Sequence, residues 1–419
     1  MRVLMVTAGA TGDVLPYTGL AARLAEAGHR PVIATHGDFA PLVRERGLEF
    51  RSFGDEEAGH EEHTFGRGSR ELVPNARRTA DLVRNLDHGI EAMRAVMAEG
   101  ADVVLLSTTS TPLGWHAAEA AGGLPTVGVF LQPAHPTREW PPAFLSGRRS
   151  LGGWGNAAAA GAAHAAIDRA TAGAAKRFRA RHGLPPVPAR AFRRRVEERH
   201  WPVCYGFSPT VVPRPADWRP GLEVVGYWWP RRPTGWEPPP GLQEFLEAGP
   251  PPVLIGFGST AIDAGHRGRV AEALRGALRL AGVRGVVQSG WAGLSVADDH
   301  VFPVGAVPHD WLMPRVAAVV HHGGAGTTAA ALRAGVPAVT VPAGMDRPFW
   351  AERQVALGTS PGWVPIARLG AERLAELIRR AVSGKGHRER AREVAEALAA
   401  EDGAARVLET ALRAAAPAG

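Results

Sequence analysis

The stretch that most constrains the fold of this chain runs from Arg315 to Pro342 and reads "RVAAVVHHGGAGTTAAALRAGVPAVTVP". An apolar run typical of a buried strand ends at His321 and His322, and a glycine-rich turn follows. Thr327 is predicted to open a helix that ends at Gly335, after which a second strand begins. Small residues let backbone N–H groups approach an anion closely, and the helix N-terminus adds partial positive charge. The stretch therefore predicts a diphosphate site on an α/β scaffold.

Strands and helices alternate in the same way over most of the chain, which predicts parallel sheets covered by helices on both faces. Because 419 residues exceed one ordinary core, we expect two doubly wound, Rossmann-like domains that face each other across a cleft. The predicted parts are an N-terminal domain over residues 1–210, a proline-rich linker over 211–250 and a second domain over 251–400. The helical segment 401–419 is expected to pack back on the N-terminal domain.

The net charge of +7 raises the question of nucleic-acid binding. The basic residues are nearly all arginine. The densest basic stretch, from Lys176 to His200, is broken by prolines, with one Phe on either side of them and no aromatic interleaving of the kind that stacks bases. We therefore expect no nucleic-acid partner and at most weak peripheral contact with an anionic membrane. A single cysteine, Cys204, excludes an intramolecular disulfide. With no visible leader or apolar span, the sequence predicts a cytoplasmic protein, monomeric or homodimeric.

Two interpretations of the glycine turn compete. Gly324, Gly326 and Ala329 fit the G-x-G-x-x-A dinucleotide fingerprint, and Asp346 lies about twenty residues further on, which would suit an NAD(P)-dependent oxidoreductase. However, the turn follows a late strand of its domain, Asp346 lies beyond the next strand end, and dinucleotide binding does not explain the paired histidines. An imidazole that donates to a phosphate oxygen does explain them.

The motif "HHGGAGTT", with "VPHDWLMPRVAAVV" before it and "RAGVPAVTVPAGMDRPFW" after it, closely resembles the nucleotide-sugar region of GT-B-fold UDP-glycosyltransferases. The resemblance extends over nearly the whole chain through "GDVLP", "LQPAHPTREWP", "GYWW" and "FLEAGPPPVLIGFGS". It is strongest to the bacterial antibiotic and sterol glycosyltransferases. It implies a GT-B fold and transfer of a sugar from a UDP- or dTDP-sugar to a hydroxyl of a lipophilic natural product, with no cofactor beyond the nucleotide sugar.

The resemblance also implies a set of donor-binding residues. Val307 and the loop to His309 would hold the nucleoside, and Asp346 would bind sugar hydroxyls. The diphosphate would contact Ser259, His322, Gly324, Ala325, Gly326 and Thr327. This chain departs from the family pattern at Ala306, where many relatives have a base-stacking tryptophan, and at Ala330, where the plant branch has an acid. It also has Arg347 where the family has glutamine, which predicts either a donor sugar other than glucose or an arginine that turns outward.

Transfer needs a base for the acceptor hydroxyl and stabilisation of the departing diphosphate. No Asp-x-Asp pair ends a strand of the second domain, so we expect a metal-independent reaction in which His322 and the turn stabilise the diphosphate. The base is predicted to be Asp13, at the end of the first strand, acting from the opposite wall with inversion at the anomeric carbon. Gly12 beside it would leave space for the sugar. The alternative for Asp13 is that it caps the helix. This alternative is weakened if Pro16 is the first helical residue, because Asp13 would then lie in the loop before the helix.

The acceptor is expected in the N-terminal domain, against aromatic and polar residues near strand ends. The predicted acceptor-binding residues are Trp115, His116, Phe130, Gln132, Trp140 and Trp350, with core packing as the alternative for each aromatic residue. Besides the oxidoreductase, a third possibility left open is a catalytically silent, transferase-like partner that activates another enzyme.

Overall fold

The protein is described by a computed structural model over residues 1–54, 64–65, 76–143, 150–258, 260–290, 293 and 299–416. Two parallel sheets, each flanked by helices, form two doubly wound domains with a cleft between them. The predicted fold class is therefore confirmed. None of the helices in these ranges is both long enough and apolar enough to cross a membrane.

The N-terminal sheet has the strand order β3-β2-β1-β5-β6-β7-β8, with every neighbouring pair parallel. The strands of this half are β1 (Arg2–Val6), β2 (Arg30–Thr35), β3 (Glu49–Ser52), β4 (Thr64–Phe65), β5 (Val103–Leu106), β6 (Thr126–Phe130), β7 (Val203–Tyr205) and β8 (Leu222–Val224). Its helices are α1 (Thr11–Glu26), α2 (Ala40–Arg44), α3 (Ala76–Ala98), α4 (Thr111–Ala120), α5 (Gly152–Arg181) and α6 (Ala189–Glu198).

The second sheet has the order β12-β11-β9-β13-β14, also parallel throughout. Its strands are β9 (Val253–Gly256), β11 (Gly285–Gln288), β12 (Val301–Val304), β13 (Ala318–His321) and β14 (Ala338–Thr340), while β10 (Ala261–Ile262) pairs with β4. The helices of this half are α7 (Leu242–Glu247), α8 (Ala264–Ala281), α9 (His309–Leu312), α10 (Ala325–Arg333), α11 (Arg347–Ala356), α12 (Ala371–Ser383), α13 (Lys385–Ala399) and α14 (Gly403–Ala415).

The central strands of both sheets are buried along their length, because helices cover both faces. This explains why their sequences read as continuous apolar runs rather than as alternating ones. All strands of a parallel sheet end at the same edge, so the loops after β1 and β6 come together in one domain and those after β9, β13 and β14 in the other. These two edges supply the walls of the cleft.

The predicted linker over residues 211–250 needs a correction at its start. β8 is the last strand of the N-terminal sheet, and Val211 and Val212 are fully buried in the same core. At the other end, Leu242 of α7 is buried against the second domain, where it shares a core with Leu254. Prolines at sheet edges and in turns gave this range the composition of a linker, although its apolar residues belong to the two cores.

The last helix, α14, leaves the second domain and packs against α1, β5 and β6 of the first. Ala404, Val407 and Ala411 are buried in the N-terminal core. At the crossing, Ser208 Oγ donates a hydrogen bond of 2.5 Å to Glu401 Oε1. The chain thus connects the two domains both near residue 230 and near residue 401.

Candidate active site

The cleft between the domains has a volume of about 1410 Å³. A pocket for one drug-sized ligand is typically about 300–1,000 Å³, so this cleft has room for two ligands side by side. Both domains contribute side chains to it. The predicted site residues that line it are Gly12, Asp13, Phe130, Gln132, Trp140, Val307, His309, His322, Gly324, Ala325, Gly326, Thr327, Asp346 and Arg347. Ser259 lies outside the described residues.

Asp13 lies inside helix α1, not in a loop before it. The helix begins at Thr11 after an extended Ala10, and Pro16 is within it. A helix start at Pro16, the condition under which the cap alternative for Asp13 is weakened, is therefore wrong. Pro16 has no N–H to donate to the carbonyl of Gly12, which the helix tolerates so close to its first turn. Asp13 is thus in the first turn, where its negative charge interacts favourably with the helix dipole.

The two carboxylate oxygens of Asp13 have different partners. The backbone N–H of Ala10 donates to Oδ2 at 3.0 Å, the contact of a carboxylate that reaches back to the start of its helix. Gln132 Nε2 donates to Oδ1 at 3.3 Å from the loop after β6. A Cβ atom at Gly9, where φ is +135°, would come within 2.5 Å of Oδ2, so only glycine allows this approach. Asp13 is therefore both a helix-start residue and a group that lines the cleft.

On the opposite wall, β13 leads through Gly323 and Gly324 directly into α10. Gly323 has a φ of +88°, and Gly324 is the extended residue before the helix. The helix begins at Ala325, earlier than the predicted Thr327. By helix geometry, the N–H groups of Ala325, Gly326 and Thr327 have no partner within α10, whereas that of Thr328 bonds to the Gly324 carbonyl. These three N–H groups can serve an anion in the cleft.

The ring of His322 is held between two glycines. A Cβ at Gly258 would come within 2.9 Å of His322 Cε1, and one at Gly324 within 2.4 Å of Nε2. His322 is buried yet lines the cleft, and Nδ1 has no hydrogen-bond partner in the described part of the chain. Burial, assisted by the charge of Arg347, holds the pKa of His322 well below its usual value. The imidazole is therefore neutral and can donate one N–H.

His321, the other member of the pair, points away from the cleft. Its Nδ1 accepts a hydrogen bond of 3.1 Å from the N–H of Gly323, and Gln354 contacts its Nε2 at 3.3 Å. Gln354 also donates to Thr340 Oγ1 at 3.2 Å. All these side chains are fully buried, and burial lowers the pKa of His321 to about 3. His321 and Gln354 thus hold the glycine turn from behind, a role that the sequence did not reveal for Gln354.

Asp346 and Arg347 lie at the start of α11 and line the cleft. Burial lowers the pKa of Arg347, whereas the charges of Asp346 and Asp13 act to raise it. The guanidinium is therefore close enough to the opposite wall for its charge to interact with Asp13. The preceding Met345 is half-exposed in the cleft, with an unusual φ of +56°. Sequence reasoning missed Met345.

The predicted acceptor residue Trp350 is not at the cleft. It is fully buried, packs against Phe207 at a ring distance of 5.9 Å and donates from Nε1 to Asp346 Oδ2 at 2.8 Å. Its place in the fold is therefore behind Asp346, whose carboxylate it orients. An acceptor in the cleft cannot contact it.

Trp115 and His116 do not line the cleft either. His116 is buried, and its Nδ1 accepts a hydrogen bond of 3.1 Å from Arg179, which also pairs with Glu119. Burial lowers the pKa of His116 to about 4. Trp115 packs edge-on against His116 at 5.3 Å, beside the N-terminal core. His116 thus connects α4 to α5, and neither residue is placed to contact an acceptor in the cleft.

Of the remaining acceptor predictions, Phe130 ends β6 and lines the cleft, and the loop after β6 carries Gln132 and Trp140 there. Asp217 fixes this loop by accepting hydrogen bonds from Thr137 Oγ1 at 2.7 Å and from the N–H of Arg138 at 2.8 Å. Trp140 also packs against Phe349 of the second domain at 5.9 Å. The loop contributes a further residue, His135, that the sequence reasoning did not select.

Comparison with known protein families gives two matches. Residues 3–107 match the glycosyltransferase family 28 N-terminal domain, and residues 288–412 match the erythromycin biosynthesis protein CIII-like C-terminal domain. Asp13 lies in the first range, and His322 and the glycine turn lie in the second. The two matches therefore fall one on each wall of the cleft.

Similar whole proteins include an O-mycaminosyltylonolide 6-deoxyallosyltransferase from Streptomyces fradiae, 36% identical over 96% of this chain and 95% of that protein. A sterol 3-beta-glucosyltransferase from Arabidopsis thaliana is 32% identical over 90% of this chain and 62% of its own length. Among solved structures, the glycosyltransferase VinC in complex with dTDP superposes with a TM-score of 0.67 at 20% identity, over 99% of both chains. The glycosyltransferase SnogD from Streptomyces nogalater gives 0.62 at 22%, again over 99% of both chains. The two structures show the same fold.

Proposed function

This chain belongs to the GT-B-fold UDP-glycosyltransferase superfamily and is a glycosyltransferase of the antibiotic or sterol type; we propose that it moves a sugar from a UDP- or dTDP-sugar to a hydroxyl of a lipophilic small molecule, with inversion and without a metal ion. One observation carries the proposal. Asp13 lies on one wall of a single cleft, and His322 with the start of α10 lies on the other.

The departing diphosphate would lie at the start of α10. The N–H groups of Ala325, Gly326 and Thr327 and a ring N–H of His322 are the donors available there. Fixed donors of this kind stabilise developing negative charge without reorganisation, and the helix dipole acts in the same direction. This donor set supports a reaction without a divalent ion, and no group of three or more metal-ligating side chains occurs in the part of the chain that the structure describes.

Asp13 would accept the proton of the acceptor hydroxyl. Its Oδ1 faces Gln132, which lies on the loop that lines the acceptor half of the cleft. A base on the wall opposite the diphosphate acts on the face of the sugar away from the leaving group. Attack from that face displaces the diphosphate in line and inverts the anomeric carbon.

Arg347 would help to select the donor sugar. It lines the cleft beside Asp346, and a guanidinium donates hydrogen bonds but accepts none. We propose that the donor sugar is not plain glucose but a deoxy sugar, a sugar without an amino group or a sugar that carries a carboxylate. A panel of UDP- and dTDP-sugars, compared between wild type and Arg347→Gln, tests this; the same order of preference in both proteins would contradict it.

The overall proposal is tested by ligand protection and product analysis. UDP or dTDP is expected to raise the melting temperature, whereas NAD is not; protection by NAD alone would favour the oxidoreductase alternative.

The anomeric configuration of the product is read by NMR, and retention would refute the role of Asp13. Exhaustive chelation is expected to leave turnover unchanged. Binding of a nucleotide sugar without transfer to any acceptor would favour the silent, activating partner. A cytoplasmic location, weak membrane contact and a monomeric or dimeric state stay predictions.

A further inference from the structure

The inner end of the acceptor half holds a polar group that the proposed transfer does not use. His135 lies on the loop after β6 and lines the cleft together with Phe130 and Trp201. Its ring stacks on Phe130 at 6.0 Å with an angle of 19° between the planes. Its surroundings are therefore mostly aromatic, yet the ring carries two nitrogens that need partners.

Tyr205 determines which nitrogen of His135 carries the proton. The buried phenol oxygen accepts a hydrogen bond of 3.2 Å from the backbone N–H of His135 and also contacts the Nδ1 of its ring. Burial raises the pKa of Tyr205, so the phenol keeps its proton and donates it to Nδ1. Burial also lowers the pKa of His135 to about 3, so the ring is neutral. A neutral ring that accepts at Nδ1 has its N–H at Nε2.

The peptide that precedes His135 is fixed as well. His164 donates from Nε2 to the carbonyl of Ala134 at 2.8 Å, and Arg193 donates to its Nδ1 at 2.8 Å. Asp168 in turn accepts two hydrogen bonds from Arg193, at 2.9 and 2.6 Å. The ring and the backbone of His135 are therefore both held in place, and within the described residues Nε2 has no hydrogen-bond partner.

We propose that His135 Nε2–H donates a hydrogen bond to an oxygen of the acceptor remote from the hydroxyl that reacts, so that the natural acceptor is an oxygenated skeleton such as a macrolactone or other polyketide and not a sterol. The inference rests on the proposed function and deepens it. A sterol carries only the hydroxyl that is glycosylated, so its hydrocarbon skeleton would cover the N–H and leave it unpaired. An unpaired buried donor weakens binding, and sites built around a hydrogen bond discriminate against analogues that lack it.

A matched pair of steroids isolates this contact. Dehydroepiandrosterone and androst-5-en-3β-ol share the 3-hydroxyl and differ only in the ketone at the far end, and a hydroxylated macrolactone aglycone adds the proposed class. We expect wild type to prefer the ketone and the macrolactone. His135→Phe, which preserves the stacking on Phe130, is expected to lower kcat/KM for both roughly ten- to a hundredfold and to leave the deoxygenated steroid unchanged.

Two further variants separate hydrogen bonding from structure. His135→Asn keeps a donor and is expected to retain more of the preference than His135→Phe. Tyr205→Phe removes the group that fixes the tautomer and is expected to reduce the preference while dTDP affinity stays near wild type; the melting temperature is expected to fall by a few degrees, because two hydrogen bonds of the buried hydroxyl are lost. Equal use of both steroids by wild type, or an equal loss on both in His135→Phe, would overturn the inference alone. Failure of wild type to bind UDP or dTDP would overturn the proposed function as well.

Discussion

Replacing Asp13 with asparagine separates its proposed catalytic role from its role at the start of α1. The amide oxygen of asparagine can still accept from the N–H of Ala10, a contact of 3.0 Å in the structure. Gln132 can rotate its own amide and accept from the new NH₂ group, which preserves the second contact. What is lost is the negative charge and the ability to take a proton.

The size of the effect follows from these contacts. Loss of a general base lowers turnover about 10²–10⁴-fold, or about 2.7–5.5 kcal/mol in activation free energy. Loss of a charge in the first helical turn costs about 0.3–1 kcal/mol of stability. Asp13→Ala loses the same catalytic function and also the hydrogen bond to Ala10, which adds about 0.5–1.5 kcal/mol. The alanine variant is therefore expected to melt a few degrees below the asparagine variant, with similar residual activity.

The assay measures nucleoside diphosphate release with saturating donor and acceptor, next to UDP or dTDP affinity by calorimetry and melting temperature. Asp13→Asn is expected to bind nucleotide as wild type does, because the residues proposed to bind the diphosphate lie on the opposite wall. Turnover of Asp13→Asn within tenfold of wild type would refute the base assignment. Parallel loss of nucleotide affinity and stability in both variants would mean that Asp13 is only a structural residue.

Three other predictions follow from the site. His322→Phe is expected to weaken UDP or dTDP binding about ten- to a hundredfold and His322→Gln, which keeps an N–H donor, distinctly less; equal losses would contradict the phosphate contact. Trp350→Phe removes the 2.8 Å hydrogen bond to Asp346, so the nucleotide sugar should bind more weakly while the free nucleotide binds as before; equal weakening of both would contradict this role. Burial lowers the pKa of His116 to about 4 and the pKa values of His135 and His321 to about 3, whereas the unfolded value is about 6.5. Below about pH 6.5 the unfolded chain therefore binds more protons than the folded chain. The free energy of unfolding is expected to fall as the pH drops from about 6.5 towards 4, by up to about 1.4 kcal/mol per pH unit for each group. Urea unfolding at several pH values measures this; His135→Phe should reduce the slope, and a flat profile between pH 7 and 5 would contradict it.

The sequence was sufficient to predict the two walls of the cleft. The strands β1 and β13 read as apolar runs that end in glycine turns, and parallel sheets gather such ends at one edge. Asp13 and His322 therefore fell on the cleft without knowledge of any contact between distant residues. Gly9 and Gly324 follow the same pattern, because Gly9 leaves room for the side chain of Asp13 and Gly324 leaves room for that of His322.

Residues on helices were harder to assign, because a helix in this fold has buried neighbours on more than one side. Trp350 and His116 were placed at the cleft from their distance to a strand end, but their partners, Phe207 and Arg179, lie far away in sequence. The start of α1 was misplaced for a related reason. The preference of proline for the first helical position is statistical, and here Asp13 bonds to Ala10 and starts the helix earlier.

His135 shows what a single sequence can and cannot indicate. It lies between Gln132 and Trp140, both of which were predicted to bind the acceptor, so its position was open to the same argument. Which ring nitrogen of His135 carries the proton could not be predicted in this way. Tyr205, which sets it, belongs to another strand and reaches His135 only because β6 pairs with β7. The sequence was sufficient to predict that this loop lines the cleft, whereas the direction of its hydrogen bonds depended on tertiary structure.

The paired histidines at the end of β13 illustrate how one strand end serves both structure and chemistry. Successive side chains of a strand point to opposite faces, so only one of the two can face the cleft. His321 points inward, accepts from the N–H of Gly323 and so fixes the backbone of the turn. His322 lines the cleft, between Gly258 and Gly324. A variant of His321 should therefore disturb the turn and weaken the binding of every anion equally. A variant of His322 should remove one hydrogen bond to the anion and leave the helix N-terminus in place.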